Sequence, residues 1–298
     1  DGDVDLYVAN DLMENRLWTQ DSDGRFSDTA LMSGSAYNGS GAAEASMGVT
    51  AGDFDGDGDE DLFMTHLAAE TNTLYLNDGS GNFFDITDSV NLAAASLRLT
   101  GFGTGWVDYD NDGWLDLFIA NGAVTAVDDP LADAAWPYGQ VNQLLRNVDG
   151  RFRDVSEHAG PSFALREVSR GAAFGDVDND GDIDIAVLNA NGPLRLLRND
   201  IGTKNHWLRV RLQSDVGTRD GTGARLALSL SDGRELWRRA HTDGSYLSAS
   251  DVRVHFGMHD ARSNTLRVMW PDGLEEVFDV AAAVNSEVTL TRGTGTAR

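Results

Sequence analysis

An aspartate-rich pattern that recurs along the first two-thirds of the chain constrains its fold more than any other feature. Three copies align without gaps, and they begin at Asp53, Asp108 and Asp176, 55 and 68 residues apart. Each copy has Asp at positions 1, 3, 5 and 9 and Gly at position 6. We call them loop 1 (residues 53–61), loop 2 (108–116) and loop 3 (176–184). Such recurrence indicates a fold built from repeated structural units.

A second motif lies between the loops and divides each unit into short strands. It reads Asn-x-Leu followed by Gly-x-Phe, with the asparagine at Asn15, Asn72 and Asn142. Four short strands per unit, bounded by Asp, Gly and Asn turns, are typical of a propeller blade. We therefore predict an all-β fold with a partial, open propeller of about three to four blades. Residues three positions after the asparagines are expected in the blade core: Trp18, Tyr75 and Leu145.

The chain opens on the back half of the same aspartate pattern. Asp1, Asp3 and Asp5 match positions 5, 7 and 9 of a further loop. The first two aspartates of that loop would lie upstream of residue 1, so we expect the sequence to be N-terminally incomplete. The lack of an export signal is then uninformative.

Charge is distributed unevenly and favours two domains, at residues 1–200 and 201–298. The formal net charge is -25, yet residues 201–298 hold 13 Lys and Arg against 12 Asp and Glu. The excess acid therefore lies in the first domain, where it would repel nucleic acid. The sequence has no cysteine, which excludes disulfides and thiol nucleophiles. No apolar run is long enough for a membrane span.

The last hundred residues have a different pattern, which predicts a small β-sandwich. His206–Leu212 alternates as a strand does, and Asp-Gly turns at Asp232 and Asp272 separate apolar runs as in hairpins. His255 and His259 are four residues apart, but their segment alternates, so we expect strand histidines rather than zinc ligands.

The loop chemistry points to Ca²⁺, a hard cation that takes six to eight oxygen ligands. Aspartates at alternate positions of a tight coil can point inward, and the glycine permits the turn. Position 7 would contribute its backbone carbonyl, which explains why tryptophan is tolerated there. The predicted ligands are Asp53, Asp55, Asp57, Asp59 and Asp61; Asp108, Asp110, Asp112, Trp114 and Asp116; Asp176, Asp178, Asp180, Asp182 and Asp184; and, in a partial site, Asp1, Asp3 and Asp5.

Two other interpretations of the loops were weighed. An EF-hand needs a Glu at position 12 and a following helix, whereas position 12 here is apolar and lies in a strand-like run. Solvated Asp/Gly turns that bind nothing are the other alternative. Three complete copies argue against it, because four neighbouring carboxylates repel one another unless a cation lies among them.

The repeats resemble FG-GAP/VCBS repeats of integrin-α-type propellers. Phe102-Gly103 and Phe174-Gly175 match the dipeptide that names the family, while Met47-Gly48 departs from it. The tail resembles the ASPIC/UnbV domain, through Asn205–Leu208, Gly244–Ser248 and Trp270–Gly273 among other segments. This order of repeats and tail is similar to the cartilage acidic protein family. The resemblance implies calcium binding, secretion or a cell-surface or periplasmic location, and about seven blades in a whole propeller.

We therefore expect a calcium-binding protein that acts in adhesion or binds a protein or glycan ligand. The alternative is a calcium-stabilised scaffold of a carbohydrate-active or biosynthetic enzyme. Binding is favoured over catalysis, because phosphate loops, dinucleotide fingerprints and serine-nucleophile elbows are missing from the sequence. Three glutamates outside the loops are expected to be surface charges: Glu44, Glu70 and Glu157.

Overall fold

The computed structural model describes residues 4–126, 136–217 and 219–298, and they form an almost entirely β structure. The helices are single turns: α1 (Ala30–Ser33), α2 (Ala93–Ser96) and three 3₁₀ turns (Ser156–His158, Pro161–Ala164, Gly202–Lys204). Within the described residues, none of the helices is long or apolar enough to cross a bilayer.

Four antiparallel sheets follow one another along the first two-thirds of the chain, as the repeats predict. Each is a blade, and none of them closes into a ring with the others. Blade 1 contains β1 (Leu6–Val8), β2 (Arg16–Gln20) and β3 (Phe26–Asp28), and blade 2 contains β4 (Val49–Gly52), β5 (Asp61–Met64), β6 (Thr73–Asn77) and β7 (Phe83–Asp85). Blade 3 contains β8 (Gly101–Val107), β9 (Asp116–Asn121), β10 (Gln143–Val148) and β11 (Arg151–Asp154), and blade 4 contains β12 (Ser169–Gly175), β13 (Asp184–Asn189) and β14 (Arg195–Leu197).

The blades pack face to face through apolar side chains on both surfaces of blade 3. Phe54 stacks on Phe152 with ring centroids 5.4 Å apart, between blades 2 and 3. On the other surface, Phe118 and Val187 are fully buried between blades 3 and 4. A strand that is buried on both faces has consecutive apolar residues rather than alternating ones, which explains the sequence of β9. The repeated packing confirms the predicted open propeller.

Glycines in the innermost strands allow neighbouring blades to approach closely. Strand β8 lies beside both β4 and β12. A β-carbon at Gly103 would lie 2.6 Å from the carbonyl oxygen of Arg170 in β12. The Phe-Gly dipeptide thus combines a buried aromatic ring at Phe102 with a residue that has no side chain to clash.

The asparagine of the Asn-x-Leu motif closes the connection between two strands in blades 1, 2 and 3. Its side-chain oxygen accepts a hydrogen bond from a backbone N–H at the end of the preceding strand or within two residues of that end. The pairs are Asn15 with Asn10 (2.8 Å), Asn72 with His66 (3.0 Å) and Asn142 with Asn121 (2.9 Å). A buried N–H without such a partner costs about 1–3 kcal/mol, so the motif is structural.

His66 occupies the position that Asn121 and Asn189 occupy in the next two blades. Its Nδ1 lies 2.8 Å from the carbonyl oxygen of Thr71, and the Nδ2 of Asn121 donates to the equivalent carbonyl of Val141. His66 Nε2 lies 3.7 Å from the carboxylate of Glu44.

Two expectations about individual side chains are wrong. Glu44 is 8 % exposed rather than a surface charge, because its carboxylate accepts a hydrogen bond from Thr73 and lies beside His66. Trp18 is 38 % exposed, whereas Tyr75 and Leu145 are buried as expected. Alternate residues of a strand face opposite ways, and in β2 it is Leu17 that faces blade 2.

The C-terminal unit, residues 206–297, is a two-sheet sandwich around a single apolar core. One sheet has the order β20-β15-β23, and β23 runs parallel to β15. The other has the order β17-β16-β21-β22-β24, and its hairpins turn at the two predicted Asp-Gly positions. The strands are β15 (His206–Gln213), β16 (Arg225–Leu230), β17 (Glu235–Arg239), β18 (Asp243–Gly244), β19 (Ser248–Ala249), β20 (Val254–His259), β21 (Ser263–Met269), β22 (Glu275–Asp279), β23 (Ser286–Thr291) and β24 (Thr296–Ala297). His255 and His259 lie in β20, as expected.

Burial of His66 gives a pH-dependence that one substitution should remove. Burial lowers the pKa of His66 from 6.5 to about 4, although Glu70 and Asp85 oppose that shift. Below pH 6.5 the unfolded chain therefore binds a proton that the folded chain binds only near pH 4. The free energy of unfolding falls as the pH drops from 6.5 towards 4. The loss from this group at pH 4 is about 3 kcal/mol. In the variant His66→Asn, the asparagine should bond Thr71 as Asn121 bonds Val141.

Urea unfolding of both proteins between pH 7 and pH 4 measures this effect. The nearby Glu44 has its pKa raised by burial and contributes a slope of opposite sign, but it is present in both proteins. Between pH 7 and pH 4, the unfolding free energy of the wild type should fall by about 3 kcal/mol more than that of His66→Asn. Equal pH dependence in the two proteins would contradict a buried neutral His66.

Candidate metal centres

The three aspartate loops share one backbone conformation, which their sequences explain. Position 6 has a positive φ in each, at Gly58 (96°), Gly113 (98°) and Gly181 (102°). Position 4 also lies in the left-handed region, with Gly56, Asn111 and Asn179 at φ 82°, 55° and 62°. Glycine and asparagine adopt that region most readily. The glycine of the motif is thus a requirement of the turn, as predicted.

The aspartate at position 9 joins each loop to two strands of its blade. One carboxylate oxygen accepts the N–H of position 2, and the other accepts an N–H from the next strand of the blade or, in blade 4, from a residue just after that strand. The residues are Asp61 (from Phe54 and Asn77), Asp116 (from Tyr109 and Asn147) and Asp184 (from Val177 and Asn199), at 2.7–3.2 Å. All three are at most 2 % exposed.

The aspartate at position 1 organises the loop from the opposite end. Its two oxygens accept backbone N–H groups from positions 4 to 6 of its own loop. At position 5 the carboxylate accepts the N–H of position 7, at 2.9–3.3 Å in the three loops. These bonds turn the backbone around the carboxylates, so that the side chains at positions 1 and 3 converge with that of position 5 or 9.

Three carboxylates in each loop come close enough to share one ion. In each group, one oxygen per residue lies within 4.8 Å of the others. The groups are Asp53, Asp55 and Asp57; Asp108, Asp110 and Asp116; and Asp176, Asp178 and Asp184. Of the other predicted ligands, Asp61, Asp112 and Asp180 lie in the same loops but outside these groups.

Position 7 differs among the loops. Asp59 is half-buried in loop 1, and the backbone N–H of Trp114 donates to Asp112. Asp182 is fully buried, and one of its oxygens accepts the N–H of Thr203 at 3.3 Å. A ligand role for the position 7 carbonyl stays a prediction.

Asp5 behaves as a position 9 aspartate, because it accepts the N–H of Gln20 at 2.9 Å. Gln20 occupies in blade 1 the position that Asn77 occupies in blade 2. Asp1 and Asp3, the other members of the predicted partial site, lie outside the described residues.

Two buried carboxylate oxygens in the loops have no hydrogen-bond partner among the described residues: Asp110 Oδ1 and Asp182 Oδ1. Burial raises the pKa of Asp53 to about 6 and of Asp108 to about 7, and neighbouring carboxylates add to these shifts. Keeping these carboxylates charged therefore raises the free energy of the folded chain, and a bound cation would lower it. Hard oxygen donors of this kind suit calcium.

Arginines form ion pairs with aspartates of loops 2 and 3 and offset part of this charge. Arg146 Nη2 lies 2.6 Å from Asp110 and 3.1 Å from Asp112 in loop 2. In loop 3, Arg209 of the C-terminal unit forms a buried ion pair with Asp176. Sequence reasoning missed these partners. For Arg209 the available signal was the near balance of charge in residues 201–298 beside a strongly acidic first domain.

Known proteins resemble this chain over most of its length. The family described as FG-GAP-like repeat matches residues 1–64, 53–119 and 128–187, and the family described as ASPIC and UnbV matches residues 215–297. Cartilage acidic protein 1 of Mus musculus is 26% identical over 278 residues, which are 90% of this chain and 40% of that protein. The Homo sapiens protein of the same name is 26% identical over 293 residues, 95% and 41% of the two chains.

This chain thus spans about two-fifths of the length of those relatives. Among solved structures, a lectin from Agrocybe aegerita that recognises non-reducing terminal N-acetylglucosamine aligns with a TM-score of 0.37 and 15% identity. The alignment covers 92% of this chain and 70% of the lectin, and its score is too low to carry an argument. The family matches cover well over half of the residues. The chain belongs to the FG-GAP-like repeat family and carries an ASPIC and UnbV domain at its C-terminal end.

Proposed function

We propose that this protein is an extracellular calcium-binding module whose loops are ordered by the ions they hold. The observation that supports the proposal is the threefold recurrence of one arrangement, in which three carboxylates converge inside a loop of fixed backbone shape. A single acidic turn would be weak support. Three turns with equivalent hydrogen bonds and equivalent places in their blades support a common purpose.

The ligands would be the carboxylates at positions 1, 3, 5 and 9 together with the carbonyl at position 7. Calcium bound there supplies positive charge to a partly buried acidic cluster. The chain's own residues do the rest, since the aspartates at positions 1 and 9 hold the loop closed through backbone N–H groups. The ion would therefore act on structure rather than on a reaction.

An extracellular location fits both the chemistry and the relatives. Calcium loops in extracellular modules work at weak affinities of about 10⁻⁴–10⁻³ M, because calcium is abundant there. The named relatives are cartilage acidic proteins, and cartilage is rich in extracellular matrix. We extend the proposal to secretion or display on the cell surface.

The partner is proposed to be a protein or a glycan, bound in a calcium-dependent manner as in adhesion. A glycan array and a panel of matrix proteins, each probed with excess calcium and with chelator, test this part. Binding that appears only with calcium would support the proposal. Binding to neither panel, or binding that ignores the chelator, would contradict a calcium-dependent adhesive role.

Calcium should raise the thermal stability of the whole chain. A ligand that binds only the folded state stabilises it by about 2.7 kcal/mol at one hundred times its dissociation constant. Differential scanning calorimetry in excess calcium and in excess chelator should therefore show a melting temperature several degrees higher with calcium. Magnesium at the same concentration and ionic strength is the control. Identical melting curves with calcium and chelator would show that the ion is not structural.

Removal of one loop carboxylate should remove one calcium ion. Asp110→Ala takes away the oxygen that has no partner in loop 2, and titration calorimetry should then count one ion fewer than in the wild type. In chelator the variant should be at least as stable as the wild type, because a repelling charge is gone and Arg146 keeps Asp112 as its partner. Asp88→Ala, an exposed aspartate outside the loops, is the matched control. An unchanged ion count in Asp110→Ala would exclude loop 2 as a site.

A further inference from the structure

The C-terminal unit sits directly on the turns of all three loops. The ring of Trp237 covers Gly58, and a β-carbon on that glycine would lie 3.0 Å from the indole. At Gly113 the nearest group is the Arg234 guanidinium, 2.7 Å from such an atom, and at Gly181 the indole of Trp207 leaves no room for one. The three glycines are therefore docking points as well as turn residues.

The carbonyl oxygen of the same glycine is held by a side-chain donor in every loop. Arg225 donates to the carbonyl of Gly58, and Arg238 Nη2 donates to that of Gly113 at 3.2 Å. In loop 3 the donor to Gly181 is Asn111 Nδ2, at 2.9 Å. Asn111 belongs to loop 2 and is itself fixed by the C-terminal unit, because its Oδ1 lies 2.6 Å from His255 Nε2.

Further contacts extend this surface beyond the glycines. Arg234 Nη1 donates to the carbonyl of Asp112 at 2.9 Å, and Arg253 Nη2 donates to that of Asp176 at 3.0 Å. The backbone N–H of His259 donates to the carbonyl of Asn111 at 2.7 Å. Between the two units a cavity of about 150 Å³ is lined by the position 1 aspartates Asp53, Asp108 and Asp176.

From these contacts we propose that the C-terminal unit is part of the calcium sites, with Arg225, Arg238 and Asn111 as positioning residues that hold each loop in its ion-binding shape. The inference rests on the proposed calcium binding. Successive carbonyls in a tight turn cannot all point inward. A donor that keeps the position 6 carbonyl outward leaves the position 7 carbonyl free to turn towards the ion. Docking and calcium binding are then linked, and each strengthens the other.

Long-range electrostatics alone predicts the opposite change in calcium affinity when an arginine is removed, which makes the proposal testable. An arginine near the loops repels calcium, so its removal alone would tighten binding. Loss of the donor to the position 6 carbonyl would instead weaken binding. The variant Arg225→Met/Arg238→Met removes both donors and keeps most of the apolar stem of each side chain. Arg262→Met removes one charge from an exposed side chain of the same unit that donates to no loop carbonyl among the described residues.

Calcium titration calorimetry of the full chain should show binding to the double variant weakened about tenfold at two sites. Arg262→Met should bind as tightly as the wild type or slightly more tightly. The proposal is overturned if the double variant binds calcium as tightly as Arg262→Met does. If the wild type itself binds no calcium, the proposed function fails instead, so the two failures are distinct.

A charge-neutral variant keeps the test decisive if the double variant does not fold. Asn111→Gly removes the donor to Gly181, and loop 1 has glycine at the same position with a similar backbone. The loop 3 site should lose affinity in this variant with no change of charge. Unchanged affinity for all ions in Asn111→Gly would contradict the inference.

Hydrogen exchange measures the same linkage from the other side. The amides of His259 and Asp251 donate across the boundary, to the carbonyls of Asn111 and Phe174. Excess calcium should slow their exchange in the wild type, because the ions hold the loops against the C-terminal unit. The effect should shrink in Asn111→Gly. Exchange rates that do not respond to calcium in a wild type that binds it would overturn the proposal.

Discussion

Crowding of carboxylates inside three short loops is the constraint on which the rest of the molecule depends. Each loop gathers three acidic side chains within 4.8 Å and keeps at least one of them buried. Like charges at that distance repel strongly where water is scarce, and burial raises the pKa of Asp108 to about 7. A cation removes both costs. Each loop joins two strands of a blade, and its position 9 aspartate is hydrogen-bonded to the blade as well as to the loop.

The blades hold these loops by polar contacts at both ends of their strands. At one end the position 9 aspartate, such as Asp116, accepts N–H groups from two places in its blade. At the other end the asparagine of the second motif, such as Asn142, accepts the N–H of Asn121, the last residue of β9. Apolar packing between neighbouring sheets fills the space between the two ends. Loop geometry is thus built into the blade.

Much of this arrangement is predictable from the sequence, because period, turn residues and strand alternation are local properties. The recurring aspartates give the blades, and Asp-Gly at residues 232 and 272 gives the hairpins of the sandwich. What a residue faces across the fold is not local. Glu44 is buried because His66 and Thr73, both distant from it in sequence, lie against its carboxylate, and Trp18 is exposed because Leu17 faces blade 2. The contacts that Arg225, Arg234 and Arg238 make with the loops are equally hard to predict, since a strand pattern does not reveal which sheet covers which loop.

The most direct test of the central claim is an anomalous difference map from crystals grown in calcium and measured at a long wavelength. Calcium scatters anomalously there far more than the protein's light atoms, so each bound ion gives a separate peak. If calcium binds in the loops, we expect peaks inside loops 1, 2 and 3, with carboxylate oxygens about 2.3–2.6 Å from each ion. Loops without peaks at saturating calcium, with their aspartates turned into solvent, would contradict it.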